Sequence, residues 1–217
     1  ITFVLIFPAL RQDAAQEAFT KHDLRLDKGE VIDSRSGKYS VDEIGVSAAP
    51  EVASNYAFIA ATNGSLTNMT TGTTQLLAGN IDDTASALTN IGFDFWFQGV
   101  RFTQFSINDN GVMRLGATAQ TSTPYKPLAQ AGLSIITAYG ADQRTHTTGS
   151  VRYKVTGSAP NRVLTVEWFN NQANFNTGGT ADLTYQVRLY ETTGVIEQVY
   201  GTMTMSTLGA ADTNSRD

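Results

Sequence analysis

The stretch Ile91-Gly-Phe-Asp-Phe-Trp-Phe-Gln-Gly-Val-Arg-Phe-Thr-Gln-Phe-Ser-Ile-Asn-Asp-Asn-Gly-Val-Met-Arg-Leu-Gly116 decides the fold class. Ile91, Phe93, Phe95 and Phe97 alternate with Gly92, Asp94 and Trp96. Period two is what a strand with one face in a core requires, because successive side chains point to opposite faces. Gly99 interrupts the pattern, and Phe105 and Ile107 resume it. Asn108-Asp-Asn-Gly111 then reads as a hairpin turn, since Asn and Gly accept the positive φ angles of tight turns. The block predicts three strands and two turns. It carries no nucleophile, metal cluster or phosphate loop.

The same alternation recurs downstream. Val151, Tyr153 and Val155 share one face, and Gly157-Ser-Ala-Pro-Asn161 turns. Leu164, Val166 and Trp168 follow, then Leu183, Tyr185, Val187 and Leu189. Glu191-Thr-Thr-Gly194 turns again, and Val195 to Tyr200 returns. Between the last two pairs of strands, Asn171 to Thr180 reads as a long polar loop. Strand character begins at Tyr56 to Ile59, and the residues after Met205, small and polar, are expected to fray. Many short strands with regular turns argue for an all-β fold, an antiparallel β-sandwich or jelly roll. Residues 1–54 read as an N-terminal extension and 55–217 as the sandwich domain. Within the extension, Gln12 to Leu26 suits a short helix, Asp33 to Gly37 a turn, and Ala48 to Glu51 a connector.

Composition sets outer bounds. A chain of 217 residues suits one large β domain, or one with an appendage. Charged residues make up only 16%, below the usual quarter. Thr, Asn, Gly and Ser take their place, which favours strands and turns. The net charge of −5 gives no support for nucleic-acid binding, which needs a basic patch. The absence of cysteine excludes disulfides, thiolate chemistry and cysteine-ligated metals. Ile1 to Leu10 is the most apolar run, too short to span a bilayer and without the cationic start of a signal peptide. The opening on Ile1 rather than methionine suggests a processed or truncated product.

Three blocks in order carry a family resemblance. They are Ile91 to Gly116, then Gly149-Ser-Val-Arg-Tyr-Lys-Val-Thr-Gly-Ser-Ala-Pro-Asn-Arg-Val-Leu-Thr-Val-Glu-Trp168, then Tyr185-Gln-Val-Arg-Leu-Tyr-Glu-Thr-Thr-Gly-Val-Ile-Glu-Gln-Val-Tyr-Gly201. Over residues 55–206 the chain resembles a β-sandwich module of adhesin-like surface proteins from bacteria that use type IX secretion. It is more loosely similar to the nidogen-type extracellular domain. The resemblance implies an extracellular location at a bacterial surface, and it brings no catalytic residues. Such modules often carry an acidic aromatic block before the Gly-Ser-Val strand, where this chain reads Ile135-Ile-Thr-Ala-Tyr-Gly-Ala-Asp142.

Few residues suggest chemistry. Asp82-Asp83 is the acidic pair of the main domain; it reads either as a turn or strand cap, or as a ligand pair for calcium, a hard cation that takes carboxylate oxygens. Asn108 to Gly111 lacks the spacing of an EF-hand loop, so the hairpin reading prevails. His22 and His146 are the only histidines. Ser150 and Asp142 flank His146, but triads assemble in space, and Arg144 to Gly149 reads as a loop. Glu167 and Glu197 form a nominal glycosidase pair, yet each stands opposite an apolar set, where a solvated polar face explains it. No catalytic residue is assigned. Trp96 lies opposite the phenylalanine stripe, where it either packs under a covering segment or stacks on a ligand such as a sugar ring. Trp168 aligns with the core set. Asn63-Gly-Ser65 and Asn68-Met-Thr70 match glycosylation acceptors, a match that arises by chance in bacterial proteins.

The apolar start has its own logic. Ile1, Phe3, Val4, Leu5, Ile6 and Phe7 leave no polar face, so the strand needs cover on both sides or a sheet to join. It is either an inner strand of its own sandwich or a donor strand for a neighbour, as in pilins. The expectation is a non-enzymatic extracellular structural or adhesive protein, self-associating into a homo-oligomer or filament. The alternative is a lectin-like module that binds a surface glycan, with Trp96 and calcium at Asp82 and Asp83. A hydrolase ranks third.

Overall fold

The computed structural model describes residues 2–5, 58–62, 64–123, 125, 130, 132–176, 179–181 and 183–204, with backbone alone for 2–5 and 58. The expected helix at Gln12 to Leu26 and the frayed end after Met205 lie outside these residues, as do Ile1, Ile6, Phe7 and His22. The described residues form strands and turns and no helix. The strands are β1 (Thr2–Leu5), β2 (Phe58–Ala61), β3 (Thr74–Leu77), β4 (Thr89–Phe97), β5 (Val100–Ile107) and β6 (Val112–Leu115). They continue with β7 (Ile135–Thr137), β8 (Arg144–Thr156), β9 (Val163–Gln172), β10 (Leu183–Tyr190) and β11 (Ile196–Met203). A seven-stranded sheet runs β2-β1-β11-β10-β9-β8-β3, and a four-stranded sheet runs β4-β5-β6-β7. Every pairing is antiparallel. This is the expected all-β sandwich.

The decisive stretch folds as it reads. It supplies β4, β5 and β6, and burial along β4 alternates, with Ile91, Phe93, Phe95 and Phe97 inward. Gln98 and Gly99, both at positive φ (52° and 72°), make the two-residue turn into β5. The inward stripe meets Val151 of β8, Leu164, Val166 and Trp168 of β9, and Leu183, Tyr185, Val187 and Leu189 of β10 in one core. Burying each such side chain stabilises the fold by about 1.5–3 kcal/mol, which explains why the period is kept so strictly. Phe105 of β5 meets Tyr153 of β8 edge to face, with centroids 5.6 Å apart, so the two layers interlock through aromatics.

Two expectations need correction. Glu167 does not lie on a solvated face: it is 3% exposed. Arg152 pairs with it at 2.7 Å and Gln186 donates to it at 2.8 Å. The segment before β3 crosses this outer face, with Thr67 exchanging two backbone hydrogen bonds with the Gln186 side chain (2.9 and 2.8 Å). Asn171 and Gln172 are not loop residues either. They end β9 and are buried: the Gln172 amide donates to the Asn176 carbonyl (3.0 Å), and the Asn171 amide serves polar groups that the core encloses.

Candidate functional site

Those polar groups belong to the turn between β5 and β6. Asn108, Asp109 and Asn110 are each 0% exposed, although a hairpin tip normally meets water. Here the tip points into the opposite sheet, and side chains replace the water. Trp168 Nε1 donates to the Asn108 carbonyl (2.9 Å), Asn171 Nδ2 to that of Asp109 (3.0 Å), and Thr137 Oγ1 to that of Gly111 (2.9 Å). Gln143 is tied in on both sides: its N–H donates to Asn110 Oδ1 (2.8 Å), and its Oε1 accepts from Asn171 and Tyr185 (3.2 and 3.1 Å). The Tyr185 ring stacks on Trp168, with centroids 5.3 Å apart.

Asp109 is the exception in this network. Its Oδ1 accepts from the Thr84 N–H at 3.1 Å, while its Oδ2 is buried without a partner. Burial pushes its carboxyl up to about 7; the Thr84 and its own N–H groups oppose that, and the charges of Asp82 and Asp83 add to it.

The Thr84 contact leads to the surface. Residues 79–86 form a bracket between the two sheets. At one end Asn80 donates to the His146 carbonyl (3.0 Å), and Thr145 donates to that of Ile81 (3.0 Å), so the bracket enters the bulge of β8 between Thr145 and Ser150. At the other end Asp109 donates to the Thr84 carbonyl (3.1 Å) and Ser86 to that of Ile107 (2.8 Å). Asn80 and Asp83 adopt positive φ (61° and 50°), which turns the Asp82 and Asp83 side chains outward together. Asp142, just before β8, joins them: the three carboxylates offer oxygens within 4.8 Å of one another. Burial and then repulsion from Asp83 raise the Asp82 carboxyl above its usual value, while Arg144 and the Asp83 N–H pull it down. The Arg144 amino groups donate to the Phe175 carbonyl (3.2 Å) and to Asn80 Oδ1 (3.1 Å). Three converging carboxylates are what a hard cation with oxygen ligands needs.

The acidic pair is thus brought together with a third carboxylate that spacing did not connect to it. The signal for Asp142 was its place at the end of the stretch that replaces the acidic aromatic block. The signal for Asp109 was absent, because an Asn-Asp-Asn-Gly turn reads alike whether its tip is wet or buried.

The other candidates scatter. His146 lies in the bulge of β8 rather than in a loop, and its ring meets the Thr148 and Thr147 hydroxyls (2.8 and 3.4 Å), while Asp142 sits with Asp82 and Asp83. Glu197 pairs with Arg188 at 3.0 Å and accepts from Tyr190 at 2.6 Å, so each glutamate of the nominal pair is held by its own arginine. Trp168 is core. Trp96 is half-buried on the outer face of β4, across from Arg101, which pairs with Asp94 at 2.9 Å. Thr2–Leu5 forms β1, between β2 and β11. No helix among the described residues is long and apolar enough to cross a membrane.

Fold and site together define an antiparallel β-sandwich module with a carboxylate cluster at one edge. A family model described as NIDO related matches residues 55–216, and the chain belongs to that family. Comparison with curated proteins and with solved structures gave no match.

Proposed function

We propose that this chain is a non-enzymatic, extracellular structural or adhesive module of a bacterial surface, and that it assembles by giving its N-terminal strand to a neighbouring copy. The observation that carries this reading is the position of β1. It is paired on both sides, by β2 and β11, yet residues 6–57 separate it in the chain from β2. An extended chain advances about 3.3–3.6 Å per residue, so a segment of that length reaches an adjacent copy as readily as its own sheet. A slot that binds extended backbone through ladder hydrogen bonds accepts the same strand from either source. The apolar character of Ile1 to Phe7 suits insertion, and NIDO-related membership supports the extracellular setting. The test is a size measurement by light scattering, with electron microscopy, on the intact chain and on one lacking Ile1 to Leu10. Filaments or a ladder of oligomers from the intact chain alone are expected. Monomers in both preparations sink the strand-donation reading.

Trp96 favours a second reading, a lectin-like module. Its half-buried ring beside the Arg101–Asp94 pair combines an apolar face with polar neighbours, the surface that sugar rings stack on. Glycan-array binding that disappears on Trp96→Ala supports it; unchanged binding removes Trp96 from any such site.

A further inference from the structure

The slot that β1 fills has two walls, and they are held by different means. β11 is continuous with the main sheet through β10. β2 has no ladder partner but β1 among the described strands, so the rest of the sheet does not fix its place. The segment that follows it does. Between β2 and β3 the chain lies as a strap on the outer face of the large sheet, which grips it by its backbone. Arg188 of β10 donates to the Ser65 carbonyl (2.5 Å), and Lys154 of β8 to that of Asn68. Gln186 engages both the N–H and the carbonyl of Thr67. Met69 is buried. Leu66 rests on bare backbone of β11, where a Cβ at Gly201 would lie 2.6 Å from Leu66 Cδ1.

We propose that the strap makes β2 the fixed second wall of an acceptor slot, and that the occupant is β1 alone, given by a second copy, while β2 stays with its own sheet. This rests on the strand-donation reading and adds which element moves.

Two unequal tethers carry it. From Ala61 to Leu66 the chain spans at most about 16–18 Å. Neighbouring strands lie about 4.7–4.9 Å apart, so β2 sits roughly 9–10 Å from β11 with β1 between them. The strap covers that distance, and its grip on β8 and β10 keeps β2 beside its own β11. β1, by contrast, is joined to β2 through residues 6–57, whose extended length is about tenfold greater. A β1–β2 hairpin moving as a unit would have to strip the strap from the sheet. β1 moving alone breaks ladder bonds only, and an incoming β1 remakes them on both sides. Pairing with two walls satisfies both rows of its backbone groups, whereas addition to a lone edge satisfies one.

Disulfide trapping in the intact chain tests this. Phe3 is paired with Gln198 on one side and with Ala60 on the other. Phe3→Cys chains are refolded together with Ala60→Cys chains, and separately with Gln198→Cys chains, one member of each mixture carrying a mass tag, and are then oxidised. Hetero-dimer bands on a denaturing gel are expected from both mixtures. A band from the Gln198→Cys mixture alone means that the hairpin travels as a unit; it overturns the proposal and leaves strand donation standing. No band from either mixture overturns both. The strap is tested by Gly201→Leu in the acceptor chain, an exposed position where the new side chain pushes Leu66 off β11. The yield of Ala60→Cys dimers should fall several-fold relative to that of Gln198→Cys dimers. Where circular dichroism shows that this variant does not fold, Thr67→Pro, which removes the N–H given to Gln186, takes its place. An unchanged ratio of yields in the folded variant overturns the strap as the holder of the wall.

Discussion

Asp109 occupies the tip of a hairpin, a place where a carboxylate normally costs nothing, yet it is fully buried. Its carboxyl is held at about 7, whereas an unfolded chain releases that proton near 3.8. Between those values the native state keeps a proton that the unfolded state has lost. Stability from this group is therefore greatest at low pH and falls as pH rises to about 7, then levels off. Asp109→Asn keeps an oxygen for the Thr84 N–H and removes the charge. With a chelator present, urea unfolding should show the variant gaining on the parent by about 1.4 kcal/mol for each pH unit climbed within that window. A constant difference from pH 5 to 7 contradicts the assignment. Trp168 makes the complementary case. Trp168→Phe removes the indole hydrogen bond to the buried Asn108 carbonyl and opens space beside Tyr185, so a loss of about 2–4 kcal/mol is expected in the same assay. The core role of Trp168 was legible, because its spacing from Leu164 and Val166 sets its face. The Asp109 environment was not, because turn chemistry records backbone angles and carries no information about what the tip touches.

Elements repeat this division. β4 and β5 could be drawn from the alternation of Ile91 to Ile107, since one buried face imposes period two, and β6 from the Asn108 to Gly111 turn that returns the chain. β3 and β7, at four and three residues, are too short to show a period. The end of β9 was misread for a different reason: Asn171 and Gln172 are polar, the Gln172 amide meets the Asn176 carbonyl, and only the buried turn opposite explains why the Asn171 amide belongs there. That turn also predicts a contrast between glycines at similar backbone angles. Gly111 has φ +83°, and a Cβ there would lie 2.0 Å from the Tyr139 carbonyl oxygen and 2.7 Å from the Tyr185 hydroxyl. Gly72 has φ +69° and nothing within 4 Å. Gly72→Ala should cost only the left-handed backbone term, about 1–2 kcal/mol in thermal unfolding. Gly111→Ala must also displace backbone inside the core, so a loss above about 3 kcal/mol, or failure to fold, is expected. Equal losses at the two sites contradict a buried β5–β6 turn.

At the scale of the whole molecule the open question is whose β1 fills the slot. β1 pairs with β2 over Thr2 to Leu5, and with β11 at Phe3 opposite Gln198. Without β1, β11 presents an unpaired edge, a template for strand addition. The chain holds no cysteine, so Phe3→Cys and Gln198→Cys introduce the only two thiols. Paired residues in an antiparallel ladder lie about 4.5–5.5 Å apart at Cα, within the range that a disulfide bridges. Oxidation of the double variant then records the source of the strand. A bond within one chain leaves a monomer on a denaturing gel, whereas donation between copies gives a ladder of linked chains. Mixing the two single variants sharpens the distinction, because a Phe3→Cys chain can reach a Gln198→Cys chain in register only if β1 crosses between copies. The strand-donation reading predicts a hetero-dimer band from that mixture and a ladder from the double variant. A double variant that closes quantitatively on itself, with single variants that stay unlinked, assigns β1 to its own sheet and leaves adhesion to act through a monomer.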